Sequence, residues 1–403
     1  MISVAMAVAL RAMNRFFKPE KPLTFSGKGA MIKLADLMVQ RGSQRHLLVT
    51  DSFLLQNGML DGVLDFLKSE GCDVTIYDGI IPNPTFAVVE EGVAAIHKGD
   101  CDSVFAVGGG SAIDAAKVMA AASTSKKPLN KLAGLMKVDQ PLLPFYVVAT
   151  TSGTGSEVTT AAVISDTETH KKKFFVDPKY VPIAAAFDTD LLVSLPGPMT
   201  AATGMDALTH AIESFTSLAR TQDTERDAAT AVRLIVKYLP DAYYNPSDEH
   251  AREMVAFGSF LAGNAFTRSS LGYVHAISHQ ISAHYNPPPG LANAILLPRV
   301  LRFNERACAM RFAKLERMLQ GNEALPYAPG QAKQFIKRID ALADAVYIPV
   351  NLDDVQQRDF SAIAKEALAE ARSSYAVPKT MRKGDVTKLL QSVSTGSRAV
   401  SFA

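Results

Sequence analysis

The stretch SVFAVGGGSAIDAAK, residues 103–117, decides the fold of the first half of this chain. A strand-like run ending at Val107 passes into Gly108, Gly109 and Gly110, and an alanine-rich segment typical of a helix follows. Glycines let the backbone approach a phosphate closely, and a new helix offers free N–H groups and the positive end of its dipole. The stretch therefore predicts a strand, a phosphate-binding turn and a helix.

This glycine turn departs from two common nucleotide-binding motifs. The GxGxxG pattern is not met, because Ile113 stands where its last glycine belongs, and the GK[ST] ending of a P-loop is absent. A plain tight turn without a ligand is therefore the alternative interpretation of these three glycines.

Other strand-like runs, separated by helical patterns, lie on both sides of this stretch: His46–Thr50, Val74–Tyr77 and Phe145–Ala149. Apolar strands that alternate with helices indicate a parallel sheet covered on both faces. Such sheets bind ligands at the carboxyl ends of their strands. We predict an α/β nucleotide-binding domain with a parallel sheet over residues 1–195.

Two further polar turns follow strands and strengthen the nucleotide hypothesis. The segment TTSGTGSE, residues 150–157, places hydroxyls and flexible backbone where a phosphate or ribose would bind. Asp51 closes an earlier strand, and a carboxylate there accepts hydrogen bonds from ribose hydroxyls and repels a 2′-phosphate. This position favours NAD over NADP, and the alternative for Asp51 is a helix N-cap.

Strand signals nearly vanish after Pro196, and long helical periodicities follow, so we predict an all-helical domain over residues 196–403. The predicted helices are Thr203–Ala219, Glu225–Leu239, His250–Phe266, Leu271–His284, Pro298–Leu319, Gly330–Ala345 and Phe360–Ala371.

The overall composition restricts the classes of function. Of the 403 residues, 48% are hydrophobic, and the net charge is only +2 without long charged blocks, which argues against a nucleic-acid partner. Three dispersed cysteines favour reduced thiols in a cytoplasmic protein, and no apolar run reaches the ~18 residues of a membrane span. The segment Met1–Phe17 carries two arginines and no acid, and we expect it to dock on the fold or fray; a transit peptide is the alternative.

Two helical segments carry a candidate metal site. Asp206 and His210 are four residues apart, as are His275 and His279, so each pair shares one helical face. One carboxylate with imidazoles suits Zn²⁺ or Fe²⁺. A single pair of this kind more often lies on a surface or core helix without binding a metal. Two pairs in mostly apolar helices favour a metal site, because unpaired polar groups are costly inside a protein.

At these residues the chain resembles the iron-containing (group III) alcohol dehydrogenase family. The matching segments are GGGSAIDAAK at 108–117, TTSGTGSEVT at 150–159, ATGMDALTHAIE at 202–213, LAGNAF at 261–266, LGYVHAISH at 271–279 and LANAILLP at 291–298. The resemblance implies a dehydroquinate synthase-like fold with a catalytic cleft between the two domains. It also implies a dimer or a larger homo-oligomer.

The resemblance implies NAD and Fe²⁺, or Zn²⁺, as cofactors, and a small alcohol or aldehyde as substrate. The residues assigned to cofactor binding are Asp51, Gly108, Gly109, Gly110, Ser111, Asp114, Thr150, Thr151, Thr154 and Lys173. The implied metal ligands are Asp206, His210 and His275, and His279 is expected beside the metal without binding it.

One departure from the family pattern concerns the fourth metal ligand. The family usually has a histidine in a YNxPHG-like segment, but here Tyr285–Gly290 reads YNPPPG, with Pro289 in the ligand's place. His284 is a possible substitute only if the proline run breaks the helix, because on a continuous helix it lies roughly opposite His275. Three ligands plus water is still a recognised catalytic zinc arrangement.

We expect metal-assisted hydride transfer between nicotinamide and a small alcohol or carbonyl compound. His279 is the candidate for the proton path, with a structural histidine as the alternative, and Phe266 is expected to form an apolar pocket wall. We expect Arg268 to face solvent, as most charged residues do. The alternative is that it points into the cleft, where it would favour an anionic substrate.

Two alternative functions stay open at this point. One is a non-redox enzyme that uses NAD and metal on the same scaffold, as dehydroquinate synthase-like relatives do. The other is a nucleotide-binding protein that has lost its metal and its catalysis because Pro289 replaces a ligand.

Overall fold

A computed structural model describes residues 7–8, 11–12, 20–167, 172–398, 400 and 402. The chain divides into two compact units, and it passes from one to the other between Leu195 and Pro196. The first unit comprises residues 17–195 and 246–256, and the second comprises residues 1–16, 196–245 and 257–403. The segment 246–256 therefore groups with the first unit, which a linear division of the chain did not predict.

The first unit contains a six-stranded parallel sheet in the order β1-β9-β6-β4-β2-β3. Its central strands are almost completely buried because helices cover both faces of such a sheet. The strands are β1 Leu23–Ser26, β2 Arg45–Val49, β3 Asp73–Tyr77, β4 Ser103–Gly108, β6 Phe145–Ala149 and β9 Ala184–Phe187. The predicted parallel sheet is confirmed.

A second sheet of three strands, in the order β5-β8-β7, was not predicted. Its strands are β5 Gly134–Leu135, β7 Ala161–Ser165 and β8 Lys172–Val176. The helices of this half are α1 Ala30–Gln40, α2 Ser52–Gln56, α3 Asp61–Ser69, α4 Phe86–Lys98, α5 Gly110–Ala122, α6 Leu129–Leu132 and α7 Thr189–Leu192.

The second unit is helical throughout its described residues, as predicted. The helices from Pro196 onwards are α8 Gly197–Thr216, α9 Gln222–Tyr244, α10 Glu249–Ser269, α11 Tyr273–Tyr285, α12 Leu291–Asn304, α13 Ala309–Leu319, α14 Gln331–Ala345, α15 Phe360–Ser374 and α16 Lys383–Ser394. Among these described helices, none is long and apolar enough to cross a membrane.

The predicted single helix Pro298–Leu319 is wrong, because α12 ends at Asn304 and α13 begins at Ala309. Pro298 lies inside α12, not at its start. α12 is almost entirely buried, whereas α13 buries only one face, and a turn at residues 305–308 separates the two helices although the apolar pattern continues across it.

The described part of the N-terminal segment contacts the helical unit. Ala7 packs against Ala219 and Ala376, and the guanidinium of Arg11 donates a hydrogen bond to the Leu218 carbonyl at 2.6 Å. These contacts support docking for those residues, and the rest of the predicted Met1–Phe17 segment lies outside the described residues.

Candidate nucleotide turns and metal site

Three predicted ligand turns lie at one edge of the parallel sheet. Strands β2, β4 and β6 are consecutive neighbours, and all of them run in the same direction. Asp51 follows β2, the glycine turn follows β4, and the Thr150–Glu157 loop follows β6. Because the carboxyl ends of parallel strands meet at the same edge, the sheet brings these three turns together.

The glycine turn packs directly against the threonine-rich loop. A Cβ added at Gly110 would lie 2.6 Å from the Thr154 methyl carbon, and one at Gly109 would lie 3.1 Å from that of Thr151. The Thr150 N–H donates to the Gly108 carbonyl at 3.0 Å. The two turns therefore form one structure, which a side chain at Gly110 would push apart.

Helix α5 begins inside this structure. Gly109 is its N-cap and provides no side-chain cap, so the first N–H groups of the helix are free to bind an anion. A thirteen-residue helix also places the positive end of its dipole at this point. The turn has the geometry of a phosphate site.

Asp51 has the capping role that was the alternative to ribose binding. Its Oδ1 accepts a hydrogen bond from Leu54 N at 3.0 Å, at the N-terminus of α2. The cap uses one carboxylate oxygen, which leaves Oδ2 as the acceptor for a ribose hydroxyl. Capping and ribose binding are thus compatible at this residue.

Two other residues assigned to the cofactor have partners within the protein. Asp114 is half-buried, and its Oδ2 accepts a hydrogen bond from Val163 N in β7 at 2.9 Å. Lys173 in β8 lies 3.7 Å from an Asp166 carboxylate oxygen. Asp114 therefore connects the start of α5 to the small sheet, whether or not it also contacts a nucleotide.

The three predicted metal ligands converge. Asp206 and His210 lie one turn apart on the buried helix α8, and His275 lies in the first turn of α11. All three are at least 94% buried, and one ligand atom of each lies within 4.8 Å of the others. The His210 and His275 rings stack with centroids 4.4 Å apart.

Glu213, one turn beyond His210, orients this site and was missed by the sequence analysis. Its Oε2 accepts a hydrogen bond from His275 Nδ1 at 2.7 Å, and its two oxygens also accept from Gly272 N and Val274 N. This fixes the tautomer of His275 and directs the Nε2 lone pair toward the site. Asp206, His210 and Glu213 share one helical face, and that spacing was the available signal.

The protonation states that burial imposes on the pocket favour the binding of a cation. Burial lowers the pKa of His275 well below its usual value, so the ring stays neutral, which is the form that binds metal. Burial also raises the pKa of Asp206, and the neighbouring His210 and Asn293 offset this only in part. A divalent cation would compensate the buried carboxylate, and the carboxylate with two imidazoles is a donor set that fits one.

His279 lies beside this cluster and is held by α15. Its ring centroid is 5.8 Å from that of His275, and its Nδ1 hydrogen-bonds to Glu370 Oε1 at 2.7 Å. Glu370 is also the acceptor for Gln280 Nε2 and the Tyr375 hydroxyl. His279 is thus oriented by a connected polar network.

Phe266, expected to form an apolar pocket wall, stacks on His210 with ring centroids 4.4 Å apart. Arg268 does not face solvent, which was one of its two predicted positions. It is only 14% exposed, pairs with the Asp227 carboxylate at 3.1 Å and donates to the Asn264 carbonyl. This pairing removes the argument for an anionic substrate.

The segment with the missing ligand adds no metal-binding side chain at Pro289. Pro289 is exposed, and helix α11 continues without a break through His284, which is also exposed. Within the described residues, the metal-binding cluster comprises Asp206, His210 and His275 without His284. His284 was expected to replace the missing ligand only if the helix broke before it, and the helix does not break there.

Comparison with known families accounts for both halves of the chain. The model of the iron-containing alcohol dehydrogenases matches residues 22–189, and the model of the C-terminal part of the same family matches residues 200–394. The chain belongs to the iron-containing alcohol dehydrogenase family. The resemblance inferred from its motifs is confirmed, together with the predicted fold and the predicted class of enzyme.

Individual members of the iron-containing family match nearly the whole chain. The NAD-dependent methanol dehydrogenase of Bacillus methanolicus is 33% identical over 381 residues, which cover 94% of this chain and 99% of that protein. The 1,3-propanediol dehydrogenase of Klebsiella pneumoniae is 36% identical and covers 92% of this chain and 96% of its own. A crystal structure of 1,3-propanediol oxidoreductase superimposes with a TM-score of 0.88 at 36% identity, covering 92% and 98% of the two chains.

Proposed function

We propose that this protein is an NAD-dependent, metal-assisted alcohol dehydrogenase or aldehyde reductase for a small, uncharged substrate. The observation that carries the proposal is the buried cluster of Asp206, His210 and His275, whose ligand atoms lie within 4.8 Å of one another. Such a cluster of one carboxylate and two imidazoles is costly to bury unless it binds a cation.

The nucleotide would bind at the sheet edge described above. The N–H groups at the start of α5 would hold the pyrophosphate, with Ser111, Thr150, Thr151 and Thr154 as further donors. Asp51 Oδ2 would accept from a ribose hydroxyl and repel a 2′-phosphate, which favours NAD over NADP. Lys173 is assigned to the nicotinamide ribose on the basis of the family resemblance.

The ligands would bind Fe²⁺ or Zn²⁺, since imidazole suits both ions. When bound, the metal supplies Lewis acidity that stabilises alkoxide-like charge on the substrate oxygen, and the nicotinamide supplies the hydride acceptor. Glu213 holds His275 in the ligating tautomer, and the apolar ring of Phe266 excludes water from the side of His210.

His279 would carry the proton that leaves the substrate hydroxyl. Glu370 accepts from its Nδ1 and so fixes the orientation of the ring, which leaves Nε2 as the nitrogen that would take the proton. The relatives named above act on methanol and 1,3-propanediol. An apolar Phe266 wall and the internally paired Arg268 fit a small neutral substrate of this kind.

The test is the variant H275A, with H284A as a matched control on the same helix. H275A should retain NAD binding, measured by quenching of intrinsic tyrosine fluorescence, and lose both bound metal and NADH formation with small alcohols. H284A, at an exposed position, should keep all three properties. Metal-dependent turnover that survives in H275A would contradict the proposal, and product formation without net NADH would favour the non-redox alternative.

A further inference from the structure

The helix that follows the missing ligand begins directly against the metal site. Gly290 is the N-cap of α12 with φ 78°, and a Cβ there would lie 2.6 Å from the Ala202 carbonyl oxygen and 3.0 Å from Asp206 Cβ. Only glycine permits both this backbone conformation and this close approach. The first turn of α12 is therefore held beside Asp206 although Pro289 has no ligand to offer.

Asn293, in that first turn, extends its side chain into the cluster. It is 8% exposed, and its Nδ2 lies 2.5 Å from Asp206 Oδ1 and 3.1 Å from His275 Nε2. Both partner atoms belong to residues of the metal cluster. The amide end of Asn293 thus faces the same point as the other ligands.

The second atom of this amide has no hydrogen bond. Within the part of the chain that the structure describes, Asn293 Oδ1 is buried and lacks a donor. Burying a carbonyl without a partner is unfavourable. The two ends of an asparagine amide exchange places by a half-turn of the side chain, and which end faces a site is set by what the site contains.

A cation reverses the preference between these two orientations. An N–H group facing Asp206 and His275 suits a site without metal, because both partners are acceptors. A divalent metal at the same point is repelled by an N–H group and bound by a carbonyl oxygen, which is a ligand that Mn²⁺, Mg²⁺ and Ca²⁺ prefer. The half-turn would then place the unpartnered oxygen on the metal.

We propose that Asn293 Oδ1 is the fourth protein ligand of this enzyme and replaces the imidazole lost at Pro289. The inference rests on the metal site of the proposed function. The donor set becomes two oxygens and two nitrogens in place of one oxygen and three nitrogens. The site therefore binds Zn²⁺ and Fe²⁺ less tightly relative to Mn²⁺ than a site with a third imidazole does.

The test counts ligands on bound Mn²⁺ in the full-length protein. Affinity is measured from the EPR signal of free Mn²⁺, and coordinated water is counted from water-proton relaxation. In N293A the affinity should fall at least about tenfold and one additional water should coordinate the metal. The control N304A replaces a second buried asparagine at the far end of α12 and should change neither quantity.

A supporting residue that only orients Asp206 would also weaken metal binding when removed, so affinity alone is not decisive. Weaker binding in N293A with an unchanged water count would therefore overturn the proposal, and so would unchanged affinity. The double variant P289H/N293A covers the case in which N293A binds no Mn²⁺. Restored binding there, with Zn²⁺ favoured over Mn²⁺ relative to the parent protein, is the expected result.

Failure of P289H/N293A to bind either metal while it remains folded, as judged by circular dichroism, would show that the amide maintains the pocket and would overturn the proposal. A parent protein that binds no divalent metal would overturn the proposed function as well. Metal binding in the parent that is independent of Asn293 would leave the proposed function intact. The two failures are thus distinguishable.

Discussion

Glu370 Oε1 lies 2.7 Å from His279 Nδ1 and joins helix α15 to the helix that carries His275. Glu370 also accepts hydrogen bonds from Gln280 and Tyr375, so three donors hold this carboxylate in place. The orientation of the proposed proton carrier is therefore set by a residue about ninety positions away in sequence. This relationship makes Glu370 a positioning residue.

We expect E370Q to lower kcat about 10- to 100-fold, because a neutral amide is a weaker acceptor for the His279 N–H and orients the ring less strictly. KM for the alcohol and bound metal should change little, since Glu370 accepts hydrogen bonds from His279, Gln280 and Tyr375, which are not metal ligands of the proposed site. Steady-state kinetics and elemental analysis measure these quantities. The control E366Q removes an exposed carboxylate one turn earlier in α15 and should behave like the parent.

Gly110 should be intolerant of a side chain. In G110A the new methyl would collide with the Thr154 side chain, whose nearest atom is 2.6 Å away, and would separate the two turns. We expect the Kd for NADH, measured by fluorescence titration, to rise at least about tenfold. The control is G62A in α3, where the added Cβ would have no atom within 4 Å apart from its own helix backbone and chain neighbours. It should raise stability by about 1 kcal/mol without changing the Kd. An unchanged Kd in G110A would show that the glycine turn does not take part in nucleotide binding.

Two variants separate the capping role of Asp51 from its cofactor role. Serine is also a strong N-cap, so D51S should keep the thermal midpoint within a few degrees while it raises kcat/KM for NADPH relative to NADH. D51A should change cofactor preference equally and also lose about 1 kcal/mol of stability. If D51S leaves the NADH preference of the parent unaltered, Asp51 acts only as the cap of α2.

Glu157 should make stability depend on pH. Burial raises its pKa to about 7 from an ordinary value of 4.5, with Lys117 opposing and Asp114 adding to the shift. The folded protein then binds one more proton than the unfolded chain between those values, so stability should fall as pH rises from 4.5 to 7.

E157Q removes this buried charge, and we expect a thermal midpoint above that of the parent at pH 8 and nearly equal to it at pH 4.5. The gain at pH 8 corresponds to on the order of 3 kcal/mol. The control E70Q, at an exposed position of the same unit, should not change the midpoint. A parent protein whose midpoint rises between pH 5 and pH 7 relative to E157Q would contradict this prediction.

Local patterns predicted most of the scaffold. Buried strands such as Phe145–Ala149 and the glycine turn are recognisable because their signals lie within a few consecutive residues. The short edge strand β1, its neighbour β9 and the break after Asn304 were missed. Their signals are weaker than those of their neighbours, and a short turn inside a continuing apolar pattern has no local sequence signal.

For the candidate site, sequence spacing indicated two helical pairs, Asp206 with His210 and His275 with His279, because residues four apart share a helical face, and the family resemblance selected Asp206, His210 and His275 as the expected ligands. It could not predict the environment of Arg268, since Asp227 lies 41 positions away. The same holds for Glu370 beside His279. Long-range pairing of polar side chains depends on how the helices pack, and helix packing has no short-range sequence signature.

The sequence by itself determined the family and the order of most elements, and it predicted the phosphate turn and the three candidate metal ligands, because their signals lie in short contiguous motifs. Only the tertiary structure decided that Asp51 caps a helix, that Arg268 is paired internally and that Glu213 orients His275. It also decided that Asn293 enters the metal cluster. The physical reason is burial: a buried polar atom must find a partner, and the packed helices determine which partner is within reach.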